Sequence, residues 1–218
     1  MIDLAALCTP HRFKDGVAWR LTPMGVGIDG AAPKGSGGPP TTVKRTWTAY
    51  KEPVARWAGH FEVPAELILA TICTESSGKP TAERKEPGYV SDGATPGKVS
   101  LGLMQTLIST AREALGRDDI DRAWILDPAN AIEAGTAYLA RQKAKTGFDP
   151  PKVACAYNAG GVYHDAGAGN RWKMKQYPIG TAEHADRFVA WFNDCFLLFE
   201  QSGDAPDPSF HNLLRPGA

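Results

Sequence analysis

With 218 residues, 43% of them hydrophobic, the chain can bury one good core and a small appendage. Its 24 Lys and Arg residues balance 24 Asp and Glu residues, which leaves neither the basic footprint of a nucleic-acid binder nor a polybasic membrane patch. The same balance argues against holding an anionic polymer by net charge, so any such binding would come from a groove. No run approaches membrane-span length, and no membrane anchor is expected.

Residues 1 to about 30 carry scattered apolar side chains (Phe13, Val17, Trp19, Leu21, Val26, Ile28) punctuated by Pro23, Gly25 and Gly27. They suit a short helix and an extended piece, expected as an irregular arm whose apolar groups need burial against this chain or a partner. The opening MIDLAALCTPHRF has Asp3 and no basic start, so no signal peptide is expected, and Leu7 before Cys8 makes a poor lipoprotein site. Ala31 to Pro40, AAPKGSGGPP, is the clearest linker. Residues 1–42 are thus assigned to arm and linker, 43–202 to the main domain and 203–218 to a loose tail in which Phe210, Leu213 and Leu214 have the character to dock.

From Trp47 the helical period is clean: Trp47, Tyr50, Val54, Trp57 and Phe61 step by three or four residues, with Pro53 marking a start or a kink. This aromatic stripe is expected in the core. A second helix follows over VPAELILATICTESSGKP, from Val63 to Pro80. Thr81 to Ser100 is polar and turn-rich, expected as a long loop with a small hairpin near Tyr89 to Ser91. A helix is expected from Thr110 with Glu113 as capping-box partner, ended by Gly116. Asp127-Pro128 and Asp149-Pro150-Pro151 are start signals for two more. Their inward faces are Ala131, Ile132, Gly135, Tyr138 and Leu139 in the first, and Val153, Ala154 and Tyr157 in the second. His164 to Asn170 is Gly-rich and expected to move. A last helix from Thr181 sets Ala185, Phe188, Val189, Phe192, Cys195, Phe196 and Phe199 on one stripe. The whole is predominantly α-helical.

The chemistry is expected at Glu75. Leu67, Ile68, Thr71 and Ile72 mark one face of the second helix, and the same face continues to Glu75 just before Gly78 and Pro80 stop it. A carboxylate there faces desolvation and the negative end of the helix dipole, both of which raise its pKa. An acid that keeps its proton near neutral pH is what general-acid catalysis requires. The bland alternative is a glutamate that curls out to water at a frayed helix end.

Gly102-Leu103-Met104-Gln105 and Ala156-Tyr157-Asn158-Ala159-Gly160 follow Glu75-Ser76 in that order. Over roughly Trp47 to Cys195 the chain resembles the lysozyme-like lytic transglycosylases of the SLT type, marked by Glu-Ser at a helix end, a GLMQ turn and an AYNAG segment. The resemblance implies a lysozyme-like helical domain, no cofactor, and peptidoglycan glycan strands as substrate. It implies that Glu75 protonates the bond between N-acetylmuramic acid and N-acetylglucosamine. Glu75 then takes the C6 hydroxyl proton of the muramic residue, which closes as a 1,6-anhydro sugar. Gln105 and the backbone at Met104 would line the sugar groove. Tyr157 would lie close to Glu75, orienting its carboxyl or touching substrate, and Asn158 would hold the turn and the sugar. Ser76 is a candidate hydrogen-bond partner, and Tyr138 matches a tyrosine common on the long helix. For Gly102, Met104, Ala156 and Gly160 the alternative is conformation and packing.

Two rivals remain. Goose-type lysozymes share the three motifs, and Ile179-Gly180-Thr181 followed by His184 and Asp186 is similar to the entry of their last helix. They are generally read as hydrolases with a helping aspartate, for which Asp92 is the candidate second carboxylate, ahead of Glu83 and Glu86; a surface-turn Asp before Gly93 is its alternative. A non-catalytic wall-binding or structural module is the other. A metal-dependent peptidase or amidase lacks ligand spacing, since His11, His60, His164, His184 and His211 are scattered and expected at surface or capping positions. Cys8, Cys73, Cys155 and Cys195 are expected as free thiols rather than as a disulfide. A wall-cleaving enzyme with no export signal suggests a phage or prophage protein made in the bacterial cytoplasm. It would reach the wall through a virion, an injection device or a holin, with residues 1–42 touching tail or other device proteins.

Overall fold

The computed structural model describes residues 2–38 and 40–215. Its elements run α1 (Leu4–Cys8), β1 (His11–Arg12), β2 (Ala18–Thr22), β3 (Gly25–Ile28), α2 (Thr41–Phe61) and α3 (Ala65–Ser76). Then come β4 (Glu83–Lys85), β5 (Val99–Leu101), β6 (Thr106–Leu107), α4 (Ile108–Leu115), α5 (Arg122–Leu126), α6 (Pro128–Arg141) and α7 (Lys143–Thr146). The chain closes with α8 (Pro150–Ala159), α9 (Glu183–Ser202) and α10 (Phe210–Leu213). The fold is predominantly helical, with two three-stranded antiparallel sheets, β1-β2-β3 and β4-β5-β6.

Helix α3 is the centre of the packing. Every residue from Ala65 to Thr74 is buried, as expected of a helix apolar on all sides, and α2, α6, α8 and α9 pack around it. Pro64 serves as its N-cap. Ser77 (φ 53°) and Gly78 (φ 78°) turn left-handed in succession and stop it after Glu75-Ser76. Proline cannot donate to the carbonyl one turn back and its ring crowds it. Accordingly, α2 kinks at Tyr50 (φ −131°), three residues before Pro53. The buried stripe of α9 is the one its period predicts, from Ala185 to Phe199.

Of residues 1–42, expected as an irregular arm and linker, those described up to residue 38 are mostly built into the domain. Alternation along β2 sends Trp19 and Leu21 inward, and both join the main core with Val26. Trp19 Nε1 donates to Asp149 Oδ1 (2.8 Å), His11 Nε2 lies 2.8 Å from Asp149 Oδ2, and Val26 N donates to Asn193 Oδ1 (2.7 Å). Asp149 therefore does not use its side chain to cap α8, although α8 starts where expected. The apolar groups that argued for a docking partner find burial within this chain.

The C-terminal tail is docked as well. Phe210 is fully buried and Leu214 packs against the core, while Leu213 is exposed; residues 216–218 of that tail lie outside the described residues. The loop after α3 is shaped by a hairpin of β4 and β5 rather than one at Tyr89 to Ser91. Helix α4 begins at Ile108 with no side-chain cap, so Thr110 lies inside it. The segment from His164 to Asn170 is tied down by Asp165, which accepts from Gly167 N, Asn170 Nδ2 and Gly180 N. A second small core (Val99, Leu101, Ile108, Ala111, Ile120, Ile125, Ala134) lies under β4–β6. The four cysteines are free, three of them buried. No helix among the described residues is long and apolar enough to cross a membrane.

Candidate active site

The end of α3 forms the floor of a cavity of about 430 Å3. One wall comes from β4, β5 and the GLMQ turn (Arg84, Ser100, Gln105). The other comes from the end of α8, the Tyr177-Pro178 segment and the first turn of α9 (Asn158, Tyr177, Glu183, His184, Arg187). Thr74 and Glu75 lie between them.

Each element is pinned by a hydrogen bond from a motif residue. The Ser76 hydroxyl reaches the Leu103 carbonyl at 2.7 Å and the Ile72 carbonyl at 3.1 Å, fastening the GLMQ turn to the end of α3. Tyr157 on α8 donates to the Met104 carbonyl (2.7 Å), and Thr106 Oγ1 lies 3.1 Å from the same hydroxyl. The Met104 side chain is buried against Gly135 of α6, where an added Cβ would fall 2.4 Å from Met104 Sδ. Only glycine leaves α6 and the turn this close. Gln105 donates from Nε2 to the Ala82 and Gly102 carbonyls (2.9 and 3.0 Å). Asn158 Oδ1 accepts from Tyr177 N (2.6 Å) and so fixes the opposite wall.

Glu75 differs from these anchors. Its side chain is 18% exposed, and its carboxyl takes part in no hydrogen bond among the described residues. Burial pushes it up to about 7, against the opposing charges of Arg187 and Arg84. The nearest titratable group is His184, with Nε2 3.6 Å from Glu75 Oε1. Burial, helped by Arg187, pushes that imidazole down to about 4. The two are therefore neutral together across mildly acidic pH rather than an ion pair. Thr74 Oγ1 is buried in the same cavity wall and has no hydrogen-bond partner among the described residues.

A family model described as the transglycosylase SLT domain matches residues 52–179. The chain belongs to this family. Over 95 residues it is 38% identical to the membrane-bound lytic murein transglycosylase C of Yersinia enterocolitica, which covers 39% of this chain and 22% of that protein. In fold it is similar to an inactive mutant of the lytic transglycosylase Slt from Pseudomonas aeruginosa (TM-score 0.54, 20% identity, 75% of this chain and 26% of that one). A complex of the 70-kDa soluble lytic transglycosylase with bulgecin A is also similar (TM-score 0.52, 21% identity, 74% and 26%). The chain thus spans about a quarter of the length of these relatives.

Within this SLT domain, Glu75, Gln105 and Asn158 meet at one cavity as the motifs imply. Other expected site residues lie elsewhere. The Tyr157 hydroxyl is engaged by Met104 and Thr106 instead of the Glu75 carboxyl; burial holds its pKa well up, and the charge of Glu75 adds to that. Tyr138 packs edge-on against Tyr157, ring centroids 5.3 Å apart, and does not line the cavity. Ser76 holds the turn rather than the carboxyl.

Asp92 is taken up by Arg122, which donates to both its oxygens (2.8 and 2.9 Å), and by Tyr89 (2.8 Å). These bonds hold its carboxyl below the usual range. Glu83 pairs with Arg122 and Glu86 with Arg84, so no candidate helper carboxylate from that loop stands free. The cavity's second carboxylate is Glu183. Sequence reasoning missed it, along with Thr74, Arg84, Tyr177 and Arg187; His184 and His211, expected at surface or capping positions, are both buried. The one signal was the spacing of Glu183, His184 and Arg187 on the first turn of α9, beyond the stretch that the family model matches.

Proposed function

We propose that this SLT domain is a lytic transglycosylase that cleaves peptidoglycan between N-acetylmuramic acid and N-acetylglucosamine and leaves 1,6-anhydro-muramic ends. The observation that carries the reading is Glu75: a cleft carboxyl with no hydrogen-bond partner among the described residues, raised to about 7 by burial. A protonated Glu75 gives its proton to the glycosidic oxygen as the bond to C1 breaks. The resulting carboxylate, favoured by Arg84 and Arg187 nearby, takes the proton of the C6 hydroxyl while O6 bonds to C1. Glu75 is then an acid again, and no water is consumed. Glycosidases that use water need a second carboxylate as base or nucleophile; the loop carboxylates are paired with arginines instead. Thr74, Gln105, Asn158 and Tyr177 offer hydrogen bonds to the sugars.

One observation favours hydrolysis: Glu183 lines the same cavity. A goose-type mechanism here would recruit Glu183 rather than Asp92. Mass spectrometry of muropeptides released from purified peptidoglycan, with Glu75→Gln alongside, separates the readings. Anhydro ends that vanish in the variant support the transglycosylase. Reducing muramic ends would replace it with the hydrolase, and no release by the unaltered protein would leave a wall-binding module.

A further inference from the structure

The cleft carries more charge than proton transfer at Glu75 requires. With Glu75 protonated and His184 neutral, the ionised side chains lining the cavity are two guanidiniums, Arg84 and Arg187, against one carboxylate, Glu183. The two arginines are not equivalent. Arg84 on β4 is engaged, its Nε 3.1 Å from Glu86 Oε1. Arg187 is exposed, and its guanidinium forms no ion pair or hydrogen bond among the described residues. Glu183 precedes it by four positions on α9, the spacing and order that favour a helix pair, yet the two do not meet within ion-pair distance. Asp186, the residue before it, is taken by Arg171 at 2.8 Å. A guanidinium left unpaired in a cavity wall is a fork of N–H donors whose complement is a planar anion such as a carboxylate.

The sugar rings of the strand assigned to this cleft are uncharged. Its carboxylates hang from the lactyl arm of muramic acid, as the free lactyl acid of a naked strand or as the acids of a peptide stem. We propose that Arg187 is a specificity-determining residue that binds such a carboxylate and so sets the register of the strand over Glu75. This rests on the peptidoglycan reading above and adds what selects the bond. Muramic acid alternates with N-acetylglucosamine, so a strand slipped by one sugar places a neutral sugar beside Arg187 and leaves the guanidinium without an anion. Asn158 and Tyr177 in the same wall offer only neutral hydrogen-bonding groups, which suit either sugar. Glu183, the opposing charge of that wall, repels a carboxylate and confines it to the Arg187 side.

The test is binding to Glu75→Gln, which removes the influence of Arg187 on the acidity of Glu75 from the comparison. Calorimetric titration in low salt uses four probes. One is a tetrasaccharide of alternating N-acetylglucosamine and N-acetylmuramic acid with free lactyl acids. The others are its methylamide, its stem-peptide form and the neutral N-acetylglucosamine tetramer. At least one acid-bearing probe should bind about tenfold more tightly than the neutral tetramer, the scale of one charge-assisted hydrogen bond. Adding Arg187→Gln should erase that preference and leave the neutral tetramer within about twofold of its former affinity. A preference that methylamidation removes assigns the lactyl carboxylate, and one seen only with peptides assigns the stem. Equal binding of acid and neutral probes, a preference that survives Arg187→Gln, or an equal loss for every probe would overturn the proposal, as would no binding at all. The muropeptide products of the unaltered protein decide the other question. Anhydro ends without an acid preference would strike the role of Arg187 alone. Reducing ends with an Arg187-dependent preference would strike the transglycosylase step and leave Arg187 as the residue that reads the acid.

Discussion

Helix α3 carries a glutamate in each end turn, Glu66 in the first and Glu75 in the last, and burial pushes both carboxyls up to about 7. Their surroundings are otherwise opposite. Glu66 is wholly buried and accepts the N–H groups of Phe210 (3.0 Å) and His211 (2.8 Å), the first residues of α10. Glu75 accepts none and opens onto a cavity. A raised pKa by itself therefore does not mark an active site. What separates the two is whether the oxygens are already satisfied: Glu66 ties the C-terminal segment to the core, and Glu75 keeps its proton for something that is not protein.

The largest expected effect separates the pair directly. Glu75→Gln should lower muropeptide release by about a thousandfold, the scale of a lost general acid, with a melting temperature at neutral pH no lower than before. Equal release by variant and unaltered protein would end the comparison. The converse is Glu66→Ala, which strands two buried N–H groups and should cost about 3 kcal/mol in urea unfolding. Its specific activity, per folded molecule, should hold within about twofold, as expected where a change costs stability alone. A loss of activity without a loss of stability would move Glu66 into the site.

The pH dependence of stability separates these groups by sign. The folded protein holds the Glu66 proton to about 7, whereas the unfolded chain releases it near 4.5. The unfolded state binds fewer protons over that window, so the contribution of Glu66 to stability falls as pH rises from 4.5 to 7. Glu66→Gln should remove that fall, a relative gain approaching about 3 kcal/mol at the upper end. Glu75 contributes with the same sign. His184 has the opposite one: its folded value is about 4 against an ordinary 6.5, so its contribution rises with pH between those values. Stability curves of the single variants, measured from pH 4 to 8, check each sign.

Smaller effects are expected where the anchors are single bonds. Ser76→Ala removes the hydroxyl at the Leu103 carbonyl and should cost about 1 kcal/mol, with a lower kcat because the GLMQ turn loosens beside Glu75. Asp92→Asn breaks the pairing with Arg122 on a half-exposed surface and should change stability by less than about 0.5 kcal/mol. It should leave the product end groups unchanged, which would remove the loop from any hydrolytic scheme.

Much of the frame was legible because it is local. The kink near Pro53, the stop before Gly78, the cap at Asp127 and the stripe of α9 all follow from backbone chemistry and period. The motifs carried Glu75, Gln105 and Asn158 to one cavity. Sequence reasoning failed where residues far apart meet. An isolated Trp19 or Asp149 gives no hint that they bond across 130 positions, so the N-terminal strands read as an arm. Nor did Glu66, one more acidic residue early in a helix, announce the two N–H groups that the tail brings to it.

By itself, the sequence determined a helical, lysozyme-like domain of the SLT family and a glutamate at the end of its central helix, since helix periods, caps and short motifs are set by near neighbours. The tertiary structure alone decided which carboxylates are engaged and which is available. Asp92, Glu83 and Glu86 met arginines, Glu66 met backbone, and Glu75 was left facing a cavity beside His184. Desolvation and hydrogen-bond satisfaction depend on everything that surrounds a group, and only the folded chain assembles those surroundings.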